Sequence, residues 1–174
     1  GGYLYLTDIL GNPRVVNKIG RLYASLFANR KIDVVMTVAT KGIPIAYAVA
    51  QYLDVPVVIV RRDSKVTEGS TVSINYVSGS SKRIQTMLLA KRSLAVGSNV
   101  LIIDDFMKAG GTVNGMVSLL EEFDATVAGI GVLVESEDIE ERLVDEYVSL
   151  VQLTDVNIKD KQIRVQEGNY LKYI

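Results

Sequence analysis

Four short runs of aliphatic and β-branched residues recur along the 174-residue chain, and helical patterns lie between most of them. Continuous apolar runs of this length are typical of strands buried on both faces. Strands that alternate with helices predict a mostly parallel sheet covered on both sides. The four runs are Val34 to Ala39, Val55 to Val60, Val100 to Ile103 and Val127 to Val134. We therefore expect an α/β fold built on a central, mostly parallel sheet with helices on both faces.

Three segments have patterns typical of helices. Asn12 stands before Pro13 as an N-cap stands before the first helical position, and apolar residues then recur on one face, which predicts a helix over residues 13–29. Residues 45–53 and 113–123 are also predicted to be helical. The length of the chain and the absence of internal repeats predict one domain over residues 1–174.

Three further segments do not follow this alternation. Residues 62–80 are polar, and we expect a long flexible arm that contains a strand at Thr71 to Val77 and forms a β-hairpin. Tyr147 to Leu153 and Gln162 to Val165 predict short strands that form a small C-terminal cap on the sheet. The run from Glu135 to Glu146 predicts a solvated acidic helix.

The composition excludes several kinds of chemistry. The chain contains no Cys and no His, so it has neither a disulfide framework, nor a cysteine nucleophile, nor a Ser-His-Asp triad, nor a histidine-ligated zinc site. No apolar run is long enough to span a membrane, so we expect no membrane partner. A chain without disulfides fits the cytoplasm.

Charge is distributed unevenly along the chain. Residues 61–92 contain seven basic and two acidic residues, whereas residues 121–167 contain thirteen acidic and four basic residues. These segments either form two solvated faces of opposite charge, or the basic segment binds an anion. The acidic third would repel nucleic acid, so the chain alone is a poor candidate for DNA binding.

The most informative run extends from Val100 to Thr112. A buried strand is followed by two adjacent carboxylates, Asp104 and Asp105, then by the glycines Gly110 and Gly111, and Thr112 is expected to open a helix. Glycines let backbone N–H groups approach an anion, and a helix N-terminus favours negative charge. Paired carboxylates beside such a loop suit a vicinal diol or Mg²⁺. The run therefore predicts a site for a phosphorylated ribose, with a solvated turn as the alternative.

This run resembles the phosphoribosyl pyrophosphate (PRPP) motif of type I phosphoribosyltransferases, in which an aliphatic strand, two acids and a Gly-Gly loop follow one another. The resemblance implies the type I phosphoribosyltransferase fold. It also implies that Asp104 and Asp105 hold the ribose hydroxyls. The loop residues implied to wrap the 5′-phosphate are Lys108, Ala109, Gly110, Gly111 and Thr112.

Other segments are similar to further parts of that family. Ala39, Thr40, Lys41 and Gly42 match its pyrophosphate loop, which often holds a strained or cis peptide. Arg61 lies where the family places a pyrophosphate-side contact, and the 62–80 arm matches the flexible loop that closes over substrate.

Two aromatic residues could stack on a nucleobase. They are Tyr3 and Phe106, the second of which directly follows the acid pair. For Phe106, packing against a neighbouring strand is the alternative.

Two positions depart from the family pattern. Ala109 stands where the family usually has Thr, and Lys108 stands where the enzymes that act on 6-oxopurines have an Asp that serves as a base. A charged lysine donates to phosphate but cannot accept the purine proton. The resemblance thus implies binding without transfer and no catalytic residue, with an active purine phosphoribosyltransferase as the alternative.

A closer resemblance covers nearly the whole chain. Gly1 to Asp8, Thr40 to Gly42, Lys65 to Ser80 and Asp104 to Gly111 are similar to the purine operon repressors of Gram-positive bacteria. The resemblance implies a homodimeric effector domain that senses PRPP and lacks transferase activity. PRPP would lower the affinity for operator DNA, which a winged-helix domain ahead of this segment would bind; we expect the chain to be a fragment without that domain.

The resemblance also implies the ligands of the site. PRPP is the expected effector, and Mg²⁺ is expected to bind with its diphosphate and not through protein side chains alone. The two loops expected to bind phosphate recognise no feature that is unique to PRPP. Guanosine tetraphosphate, which has diphosphates at its 5′ and 3′ positions, is therefore expected to compete for the same pocket.

Overall fold

A computed structural model describes residues 6–63, 69–79, 81–137, 141–157, 159–160 and 162–174. The α-helices are α1 (Thr7–Leu10), α2 (Pro13–Leu26), α3 (Ile43–Leu53) and α4 (Gly111–Glu121). The strands are β1 (Val34–Val38), β2 (Val57–Val60), β3 (Thr71–Val77), β4 (Ile84–Ala90), β5 (Asn99–Met107), β6 (Thr126–Ser136), β7 (Val148–Asn157) and β8 (Gln162–Glu167). Short 3₁₀ turns span Lys91–Ser93 and Asn169–Tyr173.

Six strands form the main sheet in the order β2-β1-β5-β6-β7-β8. The first five are parallel to one another, and only β8 is antiparallel to its neighbour β7. The prediction of a central, mostly parallel sheet is therefore confirmed. The predicted hairpin is also present, because β3 and β4 form a separate antiparallel pair. Its second strand, Ile84–Ala90, was not predicted, and residues 64–68 and 80 of the arm lie outside the described residues.

The sheet separates two apolar cores. One core lies between the sheet and the helices α2 and α3. Tyr23, Phe27 and Ile45, from these helices and the end of α2, are fully buried in it. On the other face α4 and the hairpin enclose Met87 and Met116. Both faces are thus shielded from water, which explains why β1 and the centre of β5 consist of buried apolar residues with few exceptions.

The predicted C-terminal cap is corrected by the sheet topology. The two predicted strands exist, but β7 pairs in parallel with β6 and β8 pairs with β7, so both extend the main sheet at its edge. The physical reason lies in β7, where Val148, Leu150 and Leu153 are buried against the α2–α3 face. These side chains reach that core only if β7 continues the sheet.

Helix boundaries agree with the sequence to within a few residues. Asn12 caps α2 as predicted, since its side-chain oxygen accepts hydrogen bonds from the N–H groups of Arg14 (3.1 Å) and Val15 (3.4 Å). The helix ends at Leu26 and not at residue 29, because Phe27 turns into the core as the C-cap.

The predicted acidic helix from Glu135 to Glu146 is wrong in the part that the structure describes. Glu135 and Ser136 belong to β6, and residues 141–146 contain no helix; residues 138–140 lie outside the described residues. Glu135 is 3% exposed, so the segment is not a uniformly solvated face.

Candidate functional site

A cavity of about 450 Å³ opens at the carboxyl ends of β1 and β5. In open α/β sheets ligands bind at this edge of the sheet. Several residues that the sequence singles out line it together: Thr40, Lys41, Asp104, Asp105, Phe106, Lys108, Gly110, Gly111 and Thr112. The structure therefore brings these residues together in one cavity, although they lie more than sixty positions apart in the sequence.

The two adjacent acids lie on β5 and not after it. The strand continues to Met107 because Asp104 pairs with Val132 of β6 and Phe106 pairs with Val134. The side chain of Asp104 is buried, whereas that of Asp105 is half-buried. One carboxylate thus forms part of the cavity floor, and the other is more accessible to a ligand.

Asp104 is held in an environment that disfavours its charge. Burial raises the pKa of Asp104 well above its ordinary value, and the negative charge of Asp105 raises it further. The positive charge of Arg62 acts in the opposite direction on this pKa. A ligand that brings hydroxyl donors or a cation to this carboxylate would favour its charged form.

The loop after β5 turns at Gly110 and leads directly into a helix. Gly110 adopts a left-handed conformation with φ 89°, and α4 begins directly after it at Gly111. The first N–H groups of an α-helix have no partner within the helix, and at α4 no side-chain cap binds them. Thr112 stands second in the helix, one position later than predicted, and Lys108 is exposed at the edge of the cavity.

Gly111 allows the hairpin to touch this loop. A Cβ atom on Gly111 would collide with the backbone carbonyl oxygen of Val77, the last residue of β3. Gly79, two residues further on, also lines the cavity. The hairpin arm thus closes one side of the site, as the sequence suggests, through residues that were not predicted to contact it.

The second loop, between β1 and α3, is equally tight. The peptide bond between Ala39 and Thr40 is cis, in agreement with the expectation for residues 39–42. Ala39, Thr40 and Lys41 line the cavity, whereas Gly42 is buried behind them. A Cβ atom on Gly42 would strike the side-chain hydroxyl of Thr37.

The structure distinguishes two neighbouring arginines. Arg62 lines the cavity, whereas Arg61 lines an adjacent cavity of about 560 Å³ on the other side of Ala39 and Thr40. The backbone of Arg61 pairs with Leu88 of β4, and its side chain lies 4.0 Å from Asp63. Arg62, which is not among the residues predicted from the sequence, is thus a cation of the cavity lining, whereas Arg61 lies in the neighbouring cavity.

The two aromatic candidates differ in their placement. Phe106 lines the cavity and also packs against the core beneath α2 and α3, so both interpretations of its role are compatible with its position. Tyr3 lies outside the described residues. Leu6, the first described residue, lines the cavity.

Within the described ranges, no three His, Cys, Asp or Glu side chains form a group that could hold a metal ion. Asp104 and Asp105 are oxygen donors of the kind that Mg²⁺ prefers, and two of them leave room for ligand oxygens and water. None of the helices in the described part of the chain has the length and apolar character needed to cross a bilayer.

Comparison with known proteins agrees with this geometry. The phosphoribosyl transferase domain family matches residues 6–167. The purine biosynthesis transcriptional repressor of Bacillus subtilis is 73% identical over 99% of the chain, and the purine biosynthesis transcriptional activator of Lactococcus lactis is 56% identical over 97% of it. The chain spans 61% and 62% of the lengths of these two relatives.

Enzymes also occur among the similar proteins. A xanthine phosphoribosyltransferase of Lachnoclostridium phytofermentans is 34% identical over 70% of the chain and 63% of that enzyme. The crystal structure of adenine phosphoribosyltransferase from Thermoanaerobacter pseudethanolicus superposes with a TM-score of 0.75, at 24% identity, over 86% of this chain and 87% of that one. The superposition supports the predicted fold.

Proposed function

Because the chain belongs to the phosphoribosyl transferase domain family, we propose that it is the PRPP-sensing effector domain of a transcription regulator of purine biosynthesis genes. In this proposal Asp104 and Asp105 bind the ribose hydroxyls, and the loop from Lys108 to Thr112 binds the 5′-phosphate. The loop from Ala39 to Gly42, together with Arg62, binds the diphosphate. Arg61, which lines the adjacent cavity together with Ala39 and Thr40, is assigned to the pyrophosphate side from there.

The position of Lys108 carries the proposal. This side chain is exposed at the rim of a cavity that otherwise has the parts needed for a phosphorylated ribose. A charged ammonium group strengthens phosphate binding, but it cannot accept a proton from a purine base. Among the described residues that line the cavity, Asp104 and Asp105 are the only acids, and both are assigned to the ribose. The site therefore favours binding over transfer.

The regulatory role rests on the two relatives named above. In the proposal PRPP binding lowers the affinity of the whole protein for operator DNA, which a separate DNA-binding domain contacts. One relative is named a repressor and the other an activator, and this chain is assigned the repressor's role because it is more similar to that protein. A homodimer in the cytoplasm is the proposed assembly.

The test measures binding and turnover on the same sample. Calorimetry with PRPP and Mg²⁺ is expected to show binding, and a pyrophosphate-release assay with adenine, guanine, hypoxanthine or xanthine is expected to show no turnover. The Asp104→Asn/Asp105→Asn variant serves as the non-binding control, and an active xanthine phosphoribosyltransferase serves as the positive control. Failure of the wild-type chain to bind PRPP would refute the proposal.

A second candidate function is that of an active purine phosphoribosyltransferase. It is favoured by the 34% identity to a xanthine phosphoribosyltransferase. Nucleotide formation at a rate comparable with the positive control would establish this function in place of the first. The effect on DNA is tested separately by fluorescence anisotropy of operator DNA with the full-length protein, with and without PRPP.

A further inference from the structure

A short segment after β6, residues 141–144, lies against the back of the loop that follows β5. The Arg142 guanidinium donates to the carbonyl oxygen of Lys108 at 3.3 Å, and the N–H of Leu143 donates to the carbonyl oxygen of Ala109 at 2.9 Å. A Cβ atom on Gly110 would lie 3.2 Å from Cγ2 of Val144. Three consecutive loop residues thus face three consecutive residues of this segment.

Arg142 is fixed by more than the loop. Its guanidinium lies 3.2 Å from the carboxylate of Glu135, donates to the carbonyl oxygen of Ser136 at 2.9 Å, and covers the ring of Tyr147 at 5.3 Å from the centroid. The side chain is 21% exposed. A planar guanidinium can hold several acceptors at fixed angles, which a lysine ammonium cannot do.

Glu135 anchors this arrangement from the core. Its buried carboxylate accepts hydrogen bonds from the hydroxyls of Tyr147 and Ser149, each at 2.6 Å, in addition to the ion pair with Arg142. Burial and the bond to Glu135 raise the pKa of the Tyr147 hydroxyl, which therefore remains a donor at neutral pH. The side-chain oxygen of Asn169, in the C-terminal 3₁₀ turn, accepts a hydrogen bond from the backbone N–H of Ser149 at 2.7 Å. A buried charge with this many partners is rigidly held.

The consequence for the loop follows from peptide geometry. A trans peptide unit is planar, and its C=O and the N–H of the next residue point in opposite directions. Because the carbonyls of Lys108 and Ala109 are held on the side of residues 141–144, the N–H groups of Ala109 and Gly110 point away from that side. Lys108 and Gly110 line the cavity, whereas Ala109 and Arg142 do not. The segment therefore holds the backbone of two cavity-lining residues from outside the cavity, with the Gly110 N–H turned away from residues 141–144.

We propose that Arg142 is a positioning residue for the subsite that binds the 5′-phosphate: by holding the Lys108 carbonyl, it fixes the Lys108–Gly110 backbone in the conformation that receives the phosphate. This inference rests on the proposed function, because it assigns the 5′-phosphate to that loop. The diphosphate subsite is formed by the loop from Ala39 to Gly42, which has no contact with Arg142. Loss of Arg142 should therefore affect one end of the ligand and not the other.

Three ligands separate the two subsites: PRPP, ribose 5-phosphate, and pyrophosphate with Mg²⁺. Their dissociation constants are measured by calorimetry for the wild type and for Arg142→Lys, which keeps the charge beside Glu135 but cannot span the carbonyls of Lys108 and Ser136. We expect Arg142→Lys to weaken PRPP and ribose 5-phosphate by about tenfold and to leave pyrophosphate within about twofold. Arg142→Gln should weaken PRPP and ribose 5-phosphate further and again leave the affinity for pyrophosphate almost unchanged.

Arg30 offers a matched control. It also donates to a backbone carbonyl, that of Ala128 at 2.7 Å, and covers an aromatic ring, that of Phe27 at 5.3 Å, but it does not line the cavity. Arg30→Lys should leave all three dissociation constants unchanged.

The outcomes are distinct. Unchanged ribose 5-phosphate affinity in Arg142→Lys, with normal PRPP binding by the wild type, would overturn the inference and leave the proposed function intact. An equal loss for all three ligands would also overturn it, because it would show a general effect on the fold. Failure of the wild type to bind PRPP would overturn the proposed function and, with it, this assignment of Arg142.

Discussion

The side chain of Asp104 accepts a hydrogen bond from the backbone N–H of Asp105 at 2.9 Å, while the carboxyl groups of the two residues repel each other when both are charged. Asp104 is 6% exposed. Burial therefore raises the pKa of its carboxyl, and Asp105 adds to the effect. The cavity thus contains a carboxyl group whose charged form the surrounding protein disfavours.

Asp104→Asn is expected to stabilise the ligand-free protein at neutral pH while it abolishes PRPP binding. The native state holds the proton of Asp104 more tightly than the unfolded state, whose pKa is about 3.9, so stability conferred by the protonated form is lost as the pH rises. Asparagine has no ionisable proton, so the variant does not lose stability as the pH rises through the pKa of Asp104. We expect a gain on the order of 1 kcal/mol, or about 2–4 °C in Tm.

Thermal unfolding followed between about pH 3.5 and neutral pH checks this prediction. The difference between Asp104→Asn and the wild type should shrink below about pH 4, where the carboxyl is protonated in both states. Asp145→Asn, at an exposed position that does not line the cavity, serves as the control. A gain in Tm that stays constant over the whole range would show that the charge of Asp104 is not its origin.

Lys108→Ala is expected to weaken PRPP binding by about tenfold to a hundredfold, because a charge-assisted phosphate contact contributes roughly 1.5–3 kcal/mol. The matched control is Lys18→Ala, an exposed lysine on α2 that lines none of the described cavities. Calorimetry at constant salt gives both affinities. If the two variants bind equally well, Lys108 does not contact the ligand.

The same loop leads to a prediction about ligand choice. The groups proposed to bind phosphate are backbone N–H groups and the cavity-lining cations Lys41, Arg62 and Lys108, and nothing in them requires a 1-diphosphate. Guanosine tetraphosphate is therefore expected to displace PRPP, with its base beside Phe106. A competition titration with labelled PRPP measures this. Retention of PRPP at saturating guanosine tetraphosphate would show that the two ligands do not share the pocket.

The motif around β5 could be predicted from the sequence because all its residues are close together in the chain. An apolar strand, two acids and two glycines lie within thirteen positions, and their order alone places them at the carboxyl edge of a sheet. Which cavity Arg61 and Arg62 each line is not determined locally. It depends on the pairing of Arg61 with Leu88 in a strand that the sequence did not reveal.

Glu135 was misread for a similar reason. In a segment rich in acids, the sequence indicates solvent exposure, since a charged group is buried only when it has partners. Those partners are Tyr147 and Ser149 of the following strand region, together with Arg142. They come together only once β7 is placed beside β6, and the sequence suggested a separate cap for that strand.

Gly111→Ala is expected to disrupt the contact between the hairpin and the helix. The new methyl group would collide with the carbonyl oxygen of Val77, a backbone atom that cannot move without shifting β3. Overpacking of this kind costs about 1–3 kcal/mol, and the shift should also weaken PRPP binding. Asn114→Ala, at an exposed position of the same helix, is the control. Chemical denaturation and calorimetry measure the two effects, and an unchanged stability of Gly111→Ala would contradict the packing described here.

PRPP binding is expected to depend on Mg²⁺. The ligand carries a diphosphate next to its ribose, and the ribose is assigned to the acids Asp104 and Asp105, which repel diphosphate oxygens. Mg²⁺ can bridge the diphosphate and the ribose hydroxyls while it keeps several waters, so it offsets this repulsion without a dedicated protein cage. Chelation should therefore weaken PRPP by at least about tenfold, which corresponds to roughly 1.4 kcal/mol. Calorimetry in millimolar MgCl₂ and in EDTA at matched ionic strength makes the comparison, with ribose 5-phosphate as the control ligand that lacks the diphosphate. Equal PRPP affinity in the two buffers would mean that the protein cations alone neutralise the ligand and that no metal bridge forms.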